Sequence, residues 1–171
     1  MSETATVENL DTIRGIMKGV RTAMLTTVSE DGSLHSHPMT TQQADFDGDC
    51  WFIASDSADT IKHLTAQPKV NLAYSASSSW LSIAGSAEAV RDEAKKRELW
   101  NTFADAWFED GVDDPSVILI HVTAESAQYW TTPGRVATVV SMLKAKVTGN
   151  TPDIGKSEEV DLPTTGQPAD N

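Results

Sequence analysis

The chain predicts a small, mainly antiparallel β-barrel with helical insertions, and three observations support that architecture. Along its 171 residues, six or seven short apolar or β-branched runs follow one another, most of them joined by hairpin-type turns. Two Asp-Gly pairs, Asp31-Gly32 and Asp47-Gly48, mark the tightest of those turns. Helical periodicity is confined to segments inserted between strands or placed near the two ends. The regular strand-helix alternation of a doubly wound parallel sheet is therefore missing.

Val7, Leu10, Ile13, Met17 and Val20 recur at spacings of three and four, which predicts an amphipathic N-terminal helix ending near Gly19. Ala23 to Val28 reads as a strand that the Ser29 to Ser33 turn folds back onto a second strand, Leu34 to Gln42. Pro38 removes a ladder donor from that second strand and so predicts an edge or a bulge. After Asp47-Gly48 comes a strand through Trp51 to Ser55, then a short helix from Asp59 to Ala66. Val70 to Ser75 and Trp80 to Val90 are strands on either side of Ser77-Ser78-Ser79, and Gly85 predicts a bulge or close backbone approach.

Asp92 is a good N-cap for one helix carrying Leu99, Trp100, Phe103 and Trp107 on a single face. Asp110 to Pro115 is turn chemistry, and Val117 to Thr123 and Ser126 to Trp130 predict two further strands. A C-terminal helix follows Pro133-Gly134, aligning Val136, Val139, Val140, Leu143 and Val147. From Gly149 the sequence is rich in Pro, Gly, Thr and acidic residues, which predicts disorder. The expected organisation is one domain over residues 1–148 and an acidic, disordered tail over 149–171.

The formal net charge of -12 argues against a nucleic-acid or anionic-membrane partner, because both depend on Lys and Arg meeting phosphate. No apolar run reaches transmembrane length, and the start lacks a signal-peptide pattern, so the expectation is a cytoplasmic protein. The single Cys50 excludes an intrachain disulfide and lies in an apolar run, as a buried thiol would. His35 and His37 share one face of a strand, but no carboxylate stands at matching spacing, so no metal site is expected. No G-x-S-x-G elbow, Walker loop, G-x-G-x-x-G or C-x-x-C occurs.

The stretch from Leu34 to Ser57 is the most informative for function. Two strands, the second ending in hydroxyls that lead into a helix, form one wall of a candidate ligand site. A Ser-rich turn before a helix N-terminus presents N–H groups and a positive dipole end to an anion, the chemistry a phosphorylated cofactor needs.

His37-Pro38-Met39, Trp51 to Ser55, Trp80 to Ala87, Glu98-Leu99-Trp100, Ala106-Trp107-Phe108 with Asp113-Asp114-Pro115, and Tyr129-Trp130 occur in that order. In this the chain resembles bacterial general stress proteins of the pyridoxamine 5′-phosphate oxidase-like, FMN-binding split-barrel superfamily, over about Val7 to Gly149. The ordered set carries the resemblance rather than any one piece. It implies a split barrel, a homodimer, and FMN, or FAD in its place, held in a cleft at the subunit interface. His37, Pro38, Met39 and Thr40 would then lie along the flavin edge. Ile53, Ala54, Ser55 and the turn after them would approach the ring and phosphate, and Ser57 with Thr60 and Lys62, after a one-residue shift, would stand in for the family's Ser-x-Lys pair. Trp80 would meet the flavin from the partner subunit, and Trp107 and Phe108 would close the pocket.

Two departures from the family pattern bear on the phosphate. His37 stands where Arg is common, and Ala58-Asp59-Thr60 where a Ser-x-Lys pair begins the short helix, while Asp56 and Asp59 add negative charge. The expected role is redox chemistry through the flavin, for which no catalytic side chain is named. Alternatives are a flavin-sequestering or ligand-sensing dimer without turnover, a barrel that holds haem or a deazaflavin, and a purely structural dimer. A true pyridoxamine-phosphate oxidase is disfavoured, because recognition of that substrate phosphate calls for basic groups and the C-terminal segment is acidic.

Overall fold

Alternate residues of the central strands turn inward, and Leu25, Phe52, Leu72, Ile83 and Ile120 are all completely buried in one core. The computed structural model describes residues 3–4, 6–42, 46–132 and 156–162. Their elements run β1 (Glu3–Thr4), α1 (Val7–Gly19), β2 (Thr22–Val28), β3 (Leu34–Thr40), β4 (Asp49–Ser55), α2 (Asp59–Ala66), β5 (Lys69–Ser75) and β6 (Ser79–Val90). There follow α3 (Glu93–Leu99), α4 (Thr102–Trp107), β7 (Val117–Thr131) and β8 (Lys156–Asp161).

The strands pair in the order β4-β7-β6-β5-β2-β3, all antiparallel, and β3 and β4 end the run without pairing with each other. The sheet is a mainly β, open barrel, split between those two strands. Pro38 falls on β3, an edge strand, where its missing N–H leaves the ladder to β2 in place. The Asp31-Gly32 turn between β2 and β3 uses the positive φ of Gly32, 86°.

The C-terminal half of the chain differs from the sequence expectation in three places. First, the two strands expected over 117–130 are one strand of 15 residues, β7. Its register against β6 shifts between Ala84 and Gly85, so Ala84 faces Ser126, Gly85 faces Ala124, and Glu125 is the extra residue of a bulge. The bulge divides the opposite edge of β7 between β4 on one side and β8 on the other. Lys69 Nζ, at 2.6 and 2.8 Å, and Ser86 Oγ, at 2.6 Å, donate to the Glu125 carboxylate. A polarity change that reads as a chain break is thus a pinned bulge.

Second, the single helix expected after Asp92 is two helices, α3 and α4. Asn101 breaks it by capping α4: its Oδ1 accepts from the N–H groups of Phe103 at 2.9 Å and Ala104 at 3.2 Å. Leu99 is buried, but Phe103 and Trp107 are exposed, so these residues do not share one buried face.

Third, Lys156–Asp161, inside the segment expected to be disordered, forms β8 antiparallel to β7. Val160 and Leu162 enter the core there, and the free edge of β7 beyond the bulge supplies backbone partners. The helix expected after Pro133-Gly134 lies outside the described residues, as does most of the expected tail.

A Cβ at Gly85 would stand 2.2 Å from the carbonyl oxygen of Thr123, whereas one at Gly15 would meet nothing within 4 Å. Gly85→Ala is therefore expected to destabilise the protein by about 1–3 kcal/mol, and Gly15→Ala to stabilise it by about 0.5–1 kcal/mol. Urea midpoints of the two variants measure both effects. Burial pushes the Cys50 thiol up to about 12. It should ignore a disulfide reagent at pH 8 until urea unfolds the protein.

Candidate functional site

Where β3 and β4 fail to pair, each offers an edge of backbone N–H and C=O groups with no strand opposite among the described residues, and α4 lies over the gap. A cavity of about 250 Å³ fills the space. Its floor is Pro38, Met39, Thr40 and Gln42 from one edge and Ile53 from the other, and its roof is Phe103, Ala104, Trp107 and Phe108. None of these nine side chains titrates. The lining is apolar with few polar groups at one margin, the usual composition of a small-molecule site.

Buried Gln42 holds floor and roof together. Its N–H donates to Trp51 O at 3.1 Å, bridging from the end of β3 to β4. The side-chain Nε2 donates to Thr40 O at 3.1 Å, and Oε1 accepts from Asn101 Nδ2 at 2.6 Å. Since Asn101 caps α4, one glutamine fixes both the strand edge and the start of the roof. Trp100 braces the far end, donating from Nε1 to Asp105 at 2.6 Å and lying 6.0 Å from the Phe108 ring.

The outer face of β4 anchors α3. Trp51 stacks on His121 at 4.2 Å, and Lys95 Nζ sits 5.4 Å from the Trp51 ring. His121 lies 3.0 Å from Asp49 and 3.4 Å from Glu88. Buried Lys96 bonds Glu93 at 3.0 Å and donates to Asp114 O at 3.3 Å, tying α3 to the turn before β7.

A second group of predicted residues lies beyond the cavity. Ser55 is on the same face of β4 as Ile53, one strand repeat further on. Its Oγ is 2.8 Å from Ser57 Oγ and accepts from the Ser57 N–H at 3.4 Å. Arg91 clamps this turn, donating to Asp56 at 2.6 Å and to Pro115 O at 2.7 Å. Lys62 donates to Asp59 at 2.7 Å. That hydrogen bond, with the charge of Lys62, holds the Asp59 carboxyl below its ordinary range. His37 Nε2 is buried with no hydrogen-bond partner among the described residues.

The structure thus brings Pro38, Met39, Thr40, Ile53, Trp107 and Phe108 to one cavity. Ser55, Ser57, Lys62 and His37 lie outside its lining. The Thr60 side chain is buried under α2, and Ala54 turns into the core. Trp80 is on the outer face of the sheet, opposite Trp130. Sequence reasoning missed Gln42, Asn101, Phe103 and Ala104 as site residues. The signal for one was there: Asn101 before Thr102-Phe103-Ala104 is capping chemistry.

A model of the family described as "Pyridoxamine 5'-phosphate oxidase like" matches residues 8–153. The chain belongs to that family. Solved structures agree with this assignment. A protein named general stress protein 26 from Jannaschia sp. CCS1 is 28% identical, with a TM-score of 0.76 over 91% of this chain and 99% of its own. A general stress family protein from Xanthomonas campestris pv. campestris is 34% identical, with a TM-score of 0.66 over 77% of this chain and 92% of its own. The general stress FMN/FAD binding protein of Xanthomonas citri is 34% identical, with a TM-score of 0.65 over 74% and 90%. Among curated proteins nothing matches. No helix among the described residues is long and apolar enough to cross a membrane.

Removing the α4 cap by Asn101→Ala should cost about 1 kcal/mol. A double-mutant cycle with Gln42→Ala should show coupling of about 0.5–1.5 kcal/mol, read from urea midpoints.

Proposed function

We propose that the protein binds a flavin, FMN or FAD, in the split between β3 and β4, and that it serves redox chemistry through that flavin. The observation that carries this reading is the meeting of two unpaired strand edges beneath an aromatic roof. A flavin ring is planar and apolar over most of its area, with a rim of hydrogen-bonding groups. The backbone at Met39 and Thr40 and the Gln42 side chain stand where a polar rim could be met, Ile53 gives an apolar floor, and Trp107 and Phe108 cover the ring and exclude water. The family and the name of the Xanthomonas citri protein support the same reading.

When bound, the flavin supplies the electron-transfer chemistry. This chain's residues orient it, keep water out and set hydrogen bonds at its rim. Among the described residues the lining holds no titratable group, so they offer the cavity no acid or base. That observation favours a second reading, in which the protein holds a flavin without turnover. An electron donor such as reduced nicotinamide separates the two: catalysed oxidation supports the enzyme, and tight flavin binding without it supports the binding module.

The functional unit on this reading is a homodimer, placed in the cytoplasm. Met24 is 41% exposed, Trp80 41% and Trp130 37%, all on the outer face of the sheet, and the two tryptophans are directly paired across β6 and β7. A second copy would cover that face and bring the partner subunit's Trp80 toward the flavin.

Titration with FMN, followed by flavin and tryptophan fluorescence, tests the site. Trp107→Ala should weaken FMN about tenfold. Met24→Lys should give a monomer by light scattering and weaken FMN as well. Saturable binding that neither variant alters would overturn the placement of the cleft.

A further inference from the structure

Lys62 and Arg91, at the Ser55-Ser57 end of the site, are each held by a carboxylate, which bears on the form of the flavin it selects. Lys62 is held at 2.7 Å by Asp59, and Arg91 at 2.6 Å by Asp56. Asp59 stays ionised well below neutrality, because Lys62 stabilises its charged form. Among the described residues, what the site leaves for the far end of a ligand is the hydroxyls of Ser55 and Ser57 and the buried, unpartnered Nε2 of His37. Tight recognition of a phosphate carrying close to two negative charges calls for cations that are free to meet it. Neutral hydroxyls suit the hydroxylated chain of a flavin equally well with or without phosphate.

We propose that this protein binds unphosphorylated flavin, riboflavin, about as tightly as FMN, and that Asp59 is the specificity-determining residue that withholds Lys62 from a phosphate. The inference rests on the flavin reading above and deepens it. Lys62 and Asp59 are both largely exposed, at 71% and 72% of their side-chain surface, so Asp59→Asn leaves the core untouched. In that variant Lys62 loses the carboxylate that pairs with it, and the local charge rises by one.

The test is a pair of titrations, riboflavin and FMN, at low ionic strength and pH 8, above the range in which histidine ordinarily takes up a proton. The ratio of the two dissociation constants should lie within about threefold in the wild type and rise to about tenfold in favour of FMN in Asp59→Asn. Riboflavin affinity itself should not change between the two proteins. A wild-type preference for FMN of about thirtyfold or more, or an Asp59→Asn ratio equal to the wild-type ratio, overturns the proposal while the flavin reading stands. Failure of both flavins to bind overturns the two together.

Discussion

One absent ladder organises this molecule. If β3 and β4 hydrogen-bonded to each other the barrel would close, and the backbone groups that line the cavity would be consumed by the sheet. Instead the chain leaves β3 through buried Gln42, whose N–H makes a single bridge to Trp51 O, and the two edges then diverge around the cavity. Pro38 suits such an edge because it lacks a donor, and its ring adds apolar surface to the floor. The open edge would be a liability if bare, since unpaired strands invite pairing with other chains. The roof from α4 covers it.

The roof itself is secured by polar contacts at its ends rather than by deep burial. Asn101 caps α4 and bonds Gln42, Lys96 anchors α3 to the turn before β7, and Trp51 sits between Lys95 and His121 on the outer face of β4. This leaves Phe103 and Trp107 with much of their surface free, 50% and 72% exposed, although both line the cavity. A ligand or a second copy would remove that apolar surface from water.

The first half of the fold was legible in the sequence because its signals are local. Asp31-Gly32 gives a hairpin, Pro38 an edge, and Gly85 a close approach to Thr123. The misses share a different cause. Glu125 reads as a break between strands, yet β6 pairs on both sides of it, and only the partner strand reveals a bulge. Val160 and Leu162 are too few to predict a strand without the waiting edge of β7. The ordered motifs named residues of β3, β4 and α4 that the structure brings to one cavity. They did not reveal that Thr60 is buried, or that Gln42 and Asn101 meet across 59 residues of sequence.

The central claim, that a flavin ring sits between the unpaired edges of β3 and β4, is tested most directly by amide chemical-shift mapping during an FMN titration. The account predicts that the largest changes fall on Met39, Thr40, Gln42, Ile53 and the indole N–H of Trp107. Shifts concentrated instead in the groove formed by Gly15, Gly19 and the Ser77-Ser79 turn, with the β3 and β4 edges unmoved, would contradict it.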